Sequence, residues 1–128
     1  MSKIFYKIIA MLSFLIITST SAMAEAPKPV EPPKVLSVKE VIALYADKYD
    51  VSYEEMYRTS FCESSLNPNA INSTSREYSV GIAQINLKAH TNVTVAQAKD
   101  VYFSAEFMAK EFARGNKGIW SCYNKIYR

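Results

Sequence analysis

The chain has 128 residues, room for a single domain, and carries 15 basic against 12 acidic residues for a formal net charge of +3. Two of the basic residues, Lys3 and Lys7, stand in a leader-like segment, and without them the balance falls to +1. So small an excess, with no basic stripe, argues against nucleic acid as a partner.

Residues 1–24 read as a secretory signal peptide. Lys3 and Lys7 precede an apolar run from Ile8 to Ile17, and Ala22 and Ala24 are the small residues a signal peptidase expects. The run falls short of the ~20 residues of a membrane span, so cleavage after Ala24 is expected, with an uncleaved anchor as the alternative. Residues 25–35 hold four of the five prolines and predict an extended tether. Residues 36–128 are left as the globular domain.

Within it, Ser37 followed by Glu40 predicts a capping box that opens a helix with Val38, Val41, Ile42, Tyr45 and Tyr49 on its buried face. Ser52 and Glu55 repeat the signature, and the second helix is expected to run to about Ser65, stopped by Asn67-Pro68. Asn69 to Tyr78 is polar and reads as loop, whereas the segment after Val80-Gly81 fits a strand or a helical turn. Asp100 caps a further helix with Val101, Ala105, Met108 and Phe112 on one stripe and Gly115 beyond its end. Ile119 to Tyr127 is a last helical piece. The expected fold class is mainly α.

Cys62 and Cys122 form an even pair in a secreted chain, for which a disulfide is the expected state and two buried thiols the alternative. Two cysteines and the distant His90 do not make a metal-ligand set, so neither metal nor cofactor is expected. His90 itself is expected near the surface or behind a site. Tyr102, Phe103, Phe107 and Phe112 lie at helical spacings and are expected mostly in the core, with stacking on sugar the alternative for one or two of them. Trp120 is expected in the core rather than as a sugar platform.

Chemistry concentrates in Phe61-Cys62-Glu63-Ser64-Ser65-Leu66-Asn67-Pro68 and Gly81-Ile82-Ala83-Gln84-Ile85-Asn86. A carboxyl at the end of an apolar helical stretch, walled by aromatic side chains, keeps its proton to higher pH than a solvated one and can give it to a glycosidic oxygen. A turn bearing amide side chains can grip a polar, uncharged polymer. If Cys62 bonds to Cys122, the Cα atoms of Glu63 and Tyr123 lie at most about 13 Å apart, close enough for the Tyr hydroxyl to orient the carboxyl.

Glu63-Ser64-Ser65-Leu66-Asn67-Pro68-Asn69-Ala70-Ile71-Asn72 resembles the catalytic motif of the soluble-type lytic transglycosylases, enzymes of goose-type lysozyme-like fold. Tyr78-Ser79-Val80-Gly81-Ile82-Ala83-Gln84-Ile85-Asn86 resembles their second, cleft-lining motif. Cys122-Tyr123-Asn124 is similar to their Ala-Tyr-Asn motif, although Lys125 follows where a small residue is usual. The resemblance spans roughly residues 38–127. It implies Glu63 as general acid and then base, with Ser64 near the reacting sugar. It also implies Gln84 and Asn86 on the glycan, Tyr123 orienting Glu63, Asn124 by the cleft, and Gly81 allowing close approach.

Retaining and inverting glycosidases use two carboxylates, and Glu77, beside Arg76 in the polar stretch, is the nearest second candidate; a solvated loop charge is its expected state. Without a second carboxylate the muramic acid's own 6-hydroxyl can attack, giving a 1,6-anhydro end without water. The sequence therefore predicts a monomeric peptidoglycan lytic transglycosylase of the periplasm or cell wall, serving a secretion, pilus or phage assembly. The alternatives are a lysozyme-type hydrolase and a non-catalytic peptidoglycan-binding module.

Overall fold

A computed structural model describes residues 32–128; the expected signal peptide and the first part of the expected tether lie outside the described residues. Residues 32–37 carry no regular structure, and the first helix opens as its residues predict. The Ser37 hydroxyl accepts the Glu40 amide, and the Glu40 carboxylate accepts back from the Ser37 amide at 2.8 Å. The helices that follow are α1 (Val38–Lys48), α2 (Tyr53–Ser64), α3 (Val95–Lys99), α4 (Val101–Ala113) and α5 (Ser121–Tyr127), with a 3-10 turn at Lys117–Ile119. The class is mainly α.

At α2 only half of the expected capping box forms. Ser52 accepts the Glu55 amide at 3.2 Å, but the Glu55 carboxylate turns away to an ion pair with Lys117. The helix ends at Ser64, and Ser65 and Leu66 both take left-handed φ angles, 54° and 61°, before Asn67-Pro68 is reached. Two elements depart from expectation. Helix α3 opens on a Thr94/Gln97 capping box one residue before a short, mostly exposed run. The stretch read as loop contains a hairpin, in which β1 (Ile71–Ser73) pairs antiparallel with β2 (Tyr78–Val80), and β2 with β3 (Ile85–Asn86). All three residues of β1 are exposed, so no alternation of apolar and polar residues marks it as a strand.

Val41, Ile42, Met56, Ile82, Ile85, Met108 and Phe112 form the centre of the core, where α1 packs on α4 and α2. Cys62 and Cys122 are disulfide-bonded with Cα atoms 5.8 Å apart, which fixes the last turn of α2 to the first turn of α5. Closing a loop of this size stabilises a fold by about 4 kcal/mol in the chain-entropy account. No described helix is long and apolar enough to cross a membrane.

Candidate active site

Helix α5 begins without a cap of its own. The residue before it, Trp120, is only 4% exposed, and its indole Nε1 is spent on the Ala83 carbonyl at 2.6 Å. An indole also lacks the acceptor oxygen that a helix start needs. Glu63, on the last turn of α2, supplies it: Oε1 accepts the Cys122 amide at 2.9 Å and lies 3.3 Å from the Ser121 hydroxyl. Glu63 is thus held as the surrogate N-cap of α5. Its second oxygen, Oε2, has no hydrogen-bond partner among the described residues.

Tyr123 does not take the orienting role expected of it. Its ring packs edge-on to Phe112 at 5.6 Å and against Tyr127 at 5.0 Å, with Lys117 Nζ 5.7 Å from its centroid. Only the first amides of a helix point out of its N-terminal end, so the carboxylate that caps α5 meets Cys122 and Ser121 rather than a side chain one residue further round. Asn124 also turns inward: Nδ2 donates to the Gly118 carbonyl at 2.8 Å, and Oδ1 is buried without a partner. Ser64 is structural too. Its Oγ lies 2.8 Å from the Ile82 carbonyl and 3.0 Å from that of Ser60, tying the end of α2 to the turn that follows β2.

That turn, residues 81–84, carries the amide side chains. Gly81 has φ +84°, and a Cβ there would stand 1.8 Å from the Ala98 carbonyl oxygen, so its lack of a side chain serves the approach of α3 rather than of a ligand. Gln84 is bent into the left-handed region at φ 48°, where Nε2 donates to the carbonyls of Ala70 at 3.2 Å and Gly81 at 3.0 Å. Asn86 Oδ1 accepts the amides of Tyr78 and Lys88. The groups left over are an acceptor, Gln84 Oε1, and a donor, Asn86 Nδ2. Together they complement an acetamido group, which offers one carbonyl and one N–H.

Both amides line an open cleft of about 170 Å³ with Glu63, Asn72, Glu77, Ser79, Ile119, Trp120 and Ser121. A second cavity of about 430 Å³ adjoins it, sharing Gln84, Asn86, Ile119 and Trp120 and adding His90 and Phe107. His90 is half-buried, edge-on to Phe107 at 4.9 Å, and faces this second cavity. Trp120 and Phe112 serve the core as expected, whereas Tyr102 is exposed.

The largest departure is Glu77. It is half-buried on the cleft wall, makes no ion pair with Arg76, and accepts a hydrogen bond from Asn72 Nδ2. Its backbone is pinned on both sides, since Glu77 N donates to Thr74 Oγ1 at 3.1 Å and its carbonyl accepts the Thr74 amide at 2.9 Å. Seven glutamates lie among the described residues. Five of them, Glu40, Glu54, Glu55, Glu106 and Glu111, pair with a lysine or arginine. Glu63 and Glu77 do not, and both face the same cleft. Away from the cleft, the Tyr49 hydroxyl and Lys48 hold the Glu106 carboxyl down to about 2.

Sequence reasoning missed Ser121, Ile119, Asn72 and Ser79. Asn72 lies in β1 and Glu77 closes the four-residue turn that leads into β2, so only the hairpin brings their side chains together. No group of three or more His, Cys, Asp or Glu side chains converges as a metal site among the described residues. Comparison with known protein families, with curated proteins and with solved structures finds no match to this chain.

Proposed function

We propose that the protein cleaves glycan strands of peptidoglycan at the β-1,4 bond between MurNAc and GlcNAc, as a lytic transglycosylase of lysozyme-like fold. The observation that carries this reading is Glu63: a carboxylate without a cationic partner, anchored through one oxygen to α5, with the other free toward a cleft that also bears Gln84 and Asn86. A group held by one oxygen keeps its orientation while the other exchanges a proton, which a general acid and base requires.

In this mechanism the free Oε2 of protonated Glu63 gives its proton to the glycosidic oxygen as the C1–O bond breaks. Gln84 Oε1 and Asn86 Nδ2 hold an acetamido group of the strand, fixing the scissile bond against the acid. The 6-hydroxyl oxygen of the same muramic acid then attacks C1, and its proton returns to Glu63. The products are a 1,6-anhydro end and a free 4-hydroxyl. The leader-like segment and the Pro-rich stretch support action in the periplasm or cell wall, and an enzyme this small would suit local opening of the wall for a secretion, pilus or phage assembly.

One observation favours a second reading. With Glu77 on the cleft wall, a lysozyme-type hydrolase could use it to activate water. Mass spectrometry of material released from purified peptidoglycan separates the two: anhydro-muropeptides support the transglycosylase, and reducing ends the hydrolase. Glu63→Gln is expected to lower the rate at least a hundredfold, on the scale of an acid–base residue. Wild-type release by that variant would refute the assignment, and binding without release by the wild-type protein would leave a peptidoglycan-binding module.

A further inference from the structure

We propose that Glu77 is a second catalytic carboxylate whose charge stabilises the cation developing at the sugar's anomeric carbon, and that Asn72 positions it. This rests on the glycan-cleaving reading of the cleft but not on which nucleophile completes the reaction.

Among the described glutamates only Glu63 and Glu77 lack a basic partner, and they line one cleft of about 170 Å³. A carboxylate left unneutralised can return its full field to a positive charge that forms beside it, and the walls of a cleft weaken that field less than bulk water does. Lys88, at the same hairpin, forms no ion pair with Glu77. Lys88 Nζ is engaged by the carbonyls of Thr74 and Ser75, each at 3.0 Å, where it braces the tip of the hairpin.

Geometry adds the second line. Glu77 reaches the cleft from the β1–β2 hairpin, and Glu63 from the end of α2, so the two carboxyls approach a bound sugar from different elements. The backbone of Glu77 is closed on Thr74 in both directions, and its side chain accepts from Asn72 Nδ2. Such double restraint is what a preorganised charge needs, because a mobile carboxylate would reorient during the reaction and lose most of its effect.

In the step itself, the C1–O bond breaks with its electron pair going to the glycosidic oxygen, which takes the Glu63 proton. Positive charge shared by C1 and the ring oxygen faces the Glu77 carboxylate. The attacking hydroxyl then bonds to C1 and loses its proton to Glu63. Glu77 neither gains nor loses a proton or a bond.

The test is Glu77→Gln in the full mature chain, assayed on purified peptidoglycan with products identified by mass. Gln keeps an oxygen for Asn72 and removes only the charge. The expected result is a fall in kcat of about a hundredfold, with KM and the chemical nature of the ends unchanged. Asn72→Ala, with Glu77 loosened, should lose kcat in the same direction to a smaller degree, and nothing further once Glu77→Gln is present. Wild-type kcat in Glu77→Gln, or a loss confined to KM, would overturn the proposal. So would a switch from reducing ends to anhydro ends, which would make Glu77 the activator of water. Thermal melts of each variant separate misfolding from these outcomes. Activity surviving Glu63→Gln would instead sink the underlying reading of the cleft.

Discussion

Glu63 accepts the backbone N–H of Cys122 at 2.9 Å, and Cys122 is disulfide-bonded to Cys62, the residue just before Glu63 in α2. One covalent bond and one hydrogen bond thus join the same two helix ends, from adjacent residues of α2 to the single residue Cys122 of α5. The arrangement gives Glu63 two tasks, capping α5 and facing the cleft. Substitutions should separate them. Glu63→Gln retains an acceptor for the Cys122 amide, whereas Glu63→Ala removes it and leaves α5 uncapped. Urea titrations are expected to show Glu63→Ala less stable than Glu63→Gln by about 1 kcal/mol, while under the proposed function both should release glycan at least about a hundredfold more slowly. Equal stabilities would mean that the carboxylate does not cap the helix.

Gly81 and Gly115 both have positive φ, 84° and 82°, yet their surroundings differ. A Cβ on Gly81 would collide with the backbone carbonyl of Ala98, an atom that cannot swing aside, while a Cβ on Gly115 meets nothing within 4 Å. Gly115→Ala should therefore cost only the conformational term, about 1–2 kcal/mol. Gly81→Ala should cost more than about 3 kcal/mol, since the turn bearing Gln84 must part from α3. Denaturation midpoints of the two variants check the ordering, and a reversed order would contradict the packing of α3 on that turn.

Glu106 ties the end of α1 to α4 through the Tyr49 hydroxyl at 2.7 Å and Lys48 Nζ at 2.9 Å. The Tyr49 bond, and then the Lys48 bond, lower its carboxyl from 4.5 to about 2. A depressed carboxyl stabilises the fold above its unfolded value and loses that contribution as pH falls toward its folded value. Stability should therefore be level near neutral pH and decline from about 4.5 down to about 2. Tyr49→Phe should flatten the decline. Urea midpoints recorded across that range test it, and an unchanged slope in Tyr49→Phe would show that the hydroxyl is not the cause.

The parts of the molecule that were legible from residues alone are those fixed by local rules. The Ser37 box, the stop after α2 and the Asp100 cap depend on neighbours three or four positions away, and Asp100 accepts the Phe103 amide as that rule requires. The Cys62–Cys122 bond was legible from an even pair of cysteines behind a leader-like segment. The roles of Ser64, Tyr123 and Asn124 were not, because each depends on which way a helix is turned about its axis in the packed domain. Ser64 finds the Ile82 carbonyl, Tyr123 finds Phe112, and Asn124 finds Gly118. Glu77 escaped for a different reason. Its place in the cleft follows from a three-residue exposed strand with no hydrophobic pattern, so sequence shows a polar loop where the register builds a wall.

Asn86 and Ser64 offer the sharpest contrast between a side chain that lines the cleft and one spent inside the fold. Asn86 Oδ1 is occupied by the amides of Tyr78 and Lys88, but Nδ2 has no partner among the described residues, and Asn86 lines the cleft. Asn86→Asp keeps the acceptor and deletes the donor, so the fold should hold while a glycan loses one hydrogen bond. Asp also places a negative charge beside Glu63 and Glu77, so KM is expected to rise at least about threefold, the worth of the lost hydrogen bond alone, with little change in melting temperature. Ser64→Ala deletes the hydroxyl bound to the Ile82 carbonyl, and should lower stability by about 1–2 kcal/mol while leaving KM near that of the wild-type chain. Steady-state kinetics on soluble glycan fragments, paired with melts, read both variants. If Ser64→Ala raised KM instead, the serine would touch the sugar, and the end of α2 would have to open toward the cleft when a strand binds.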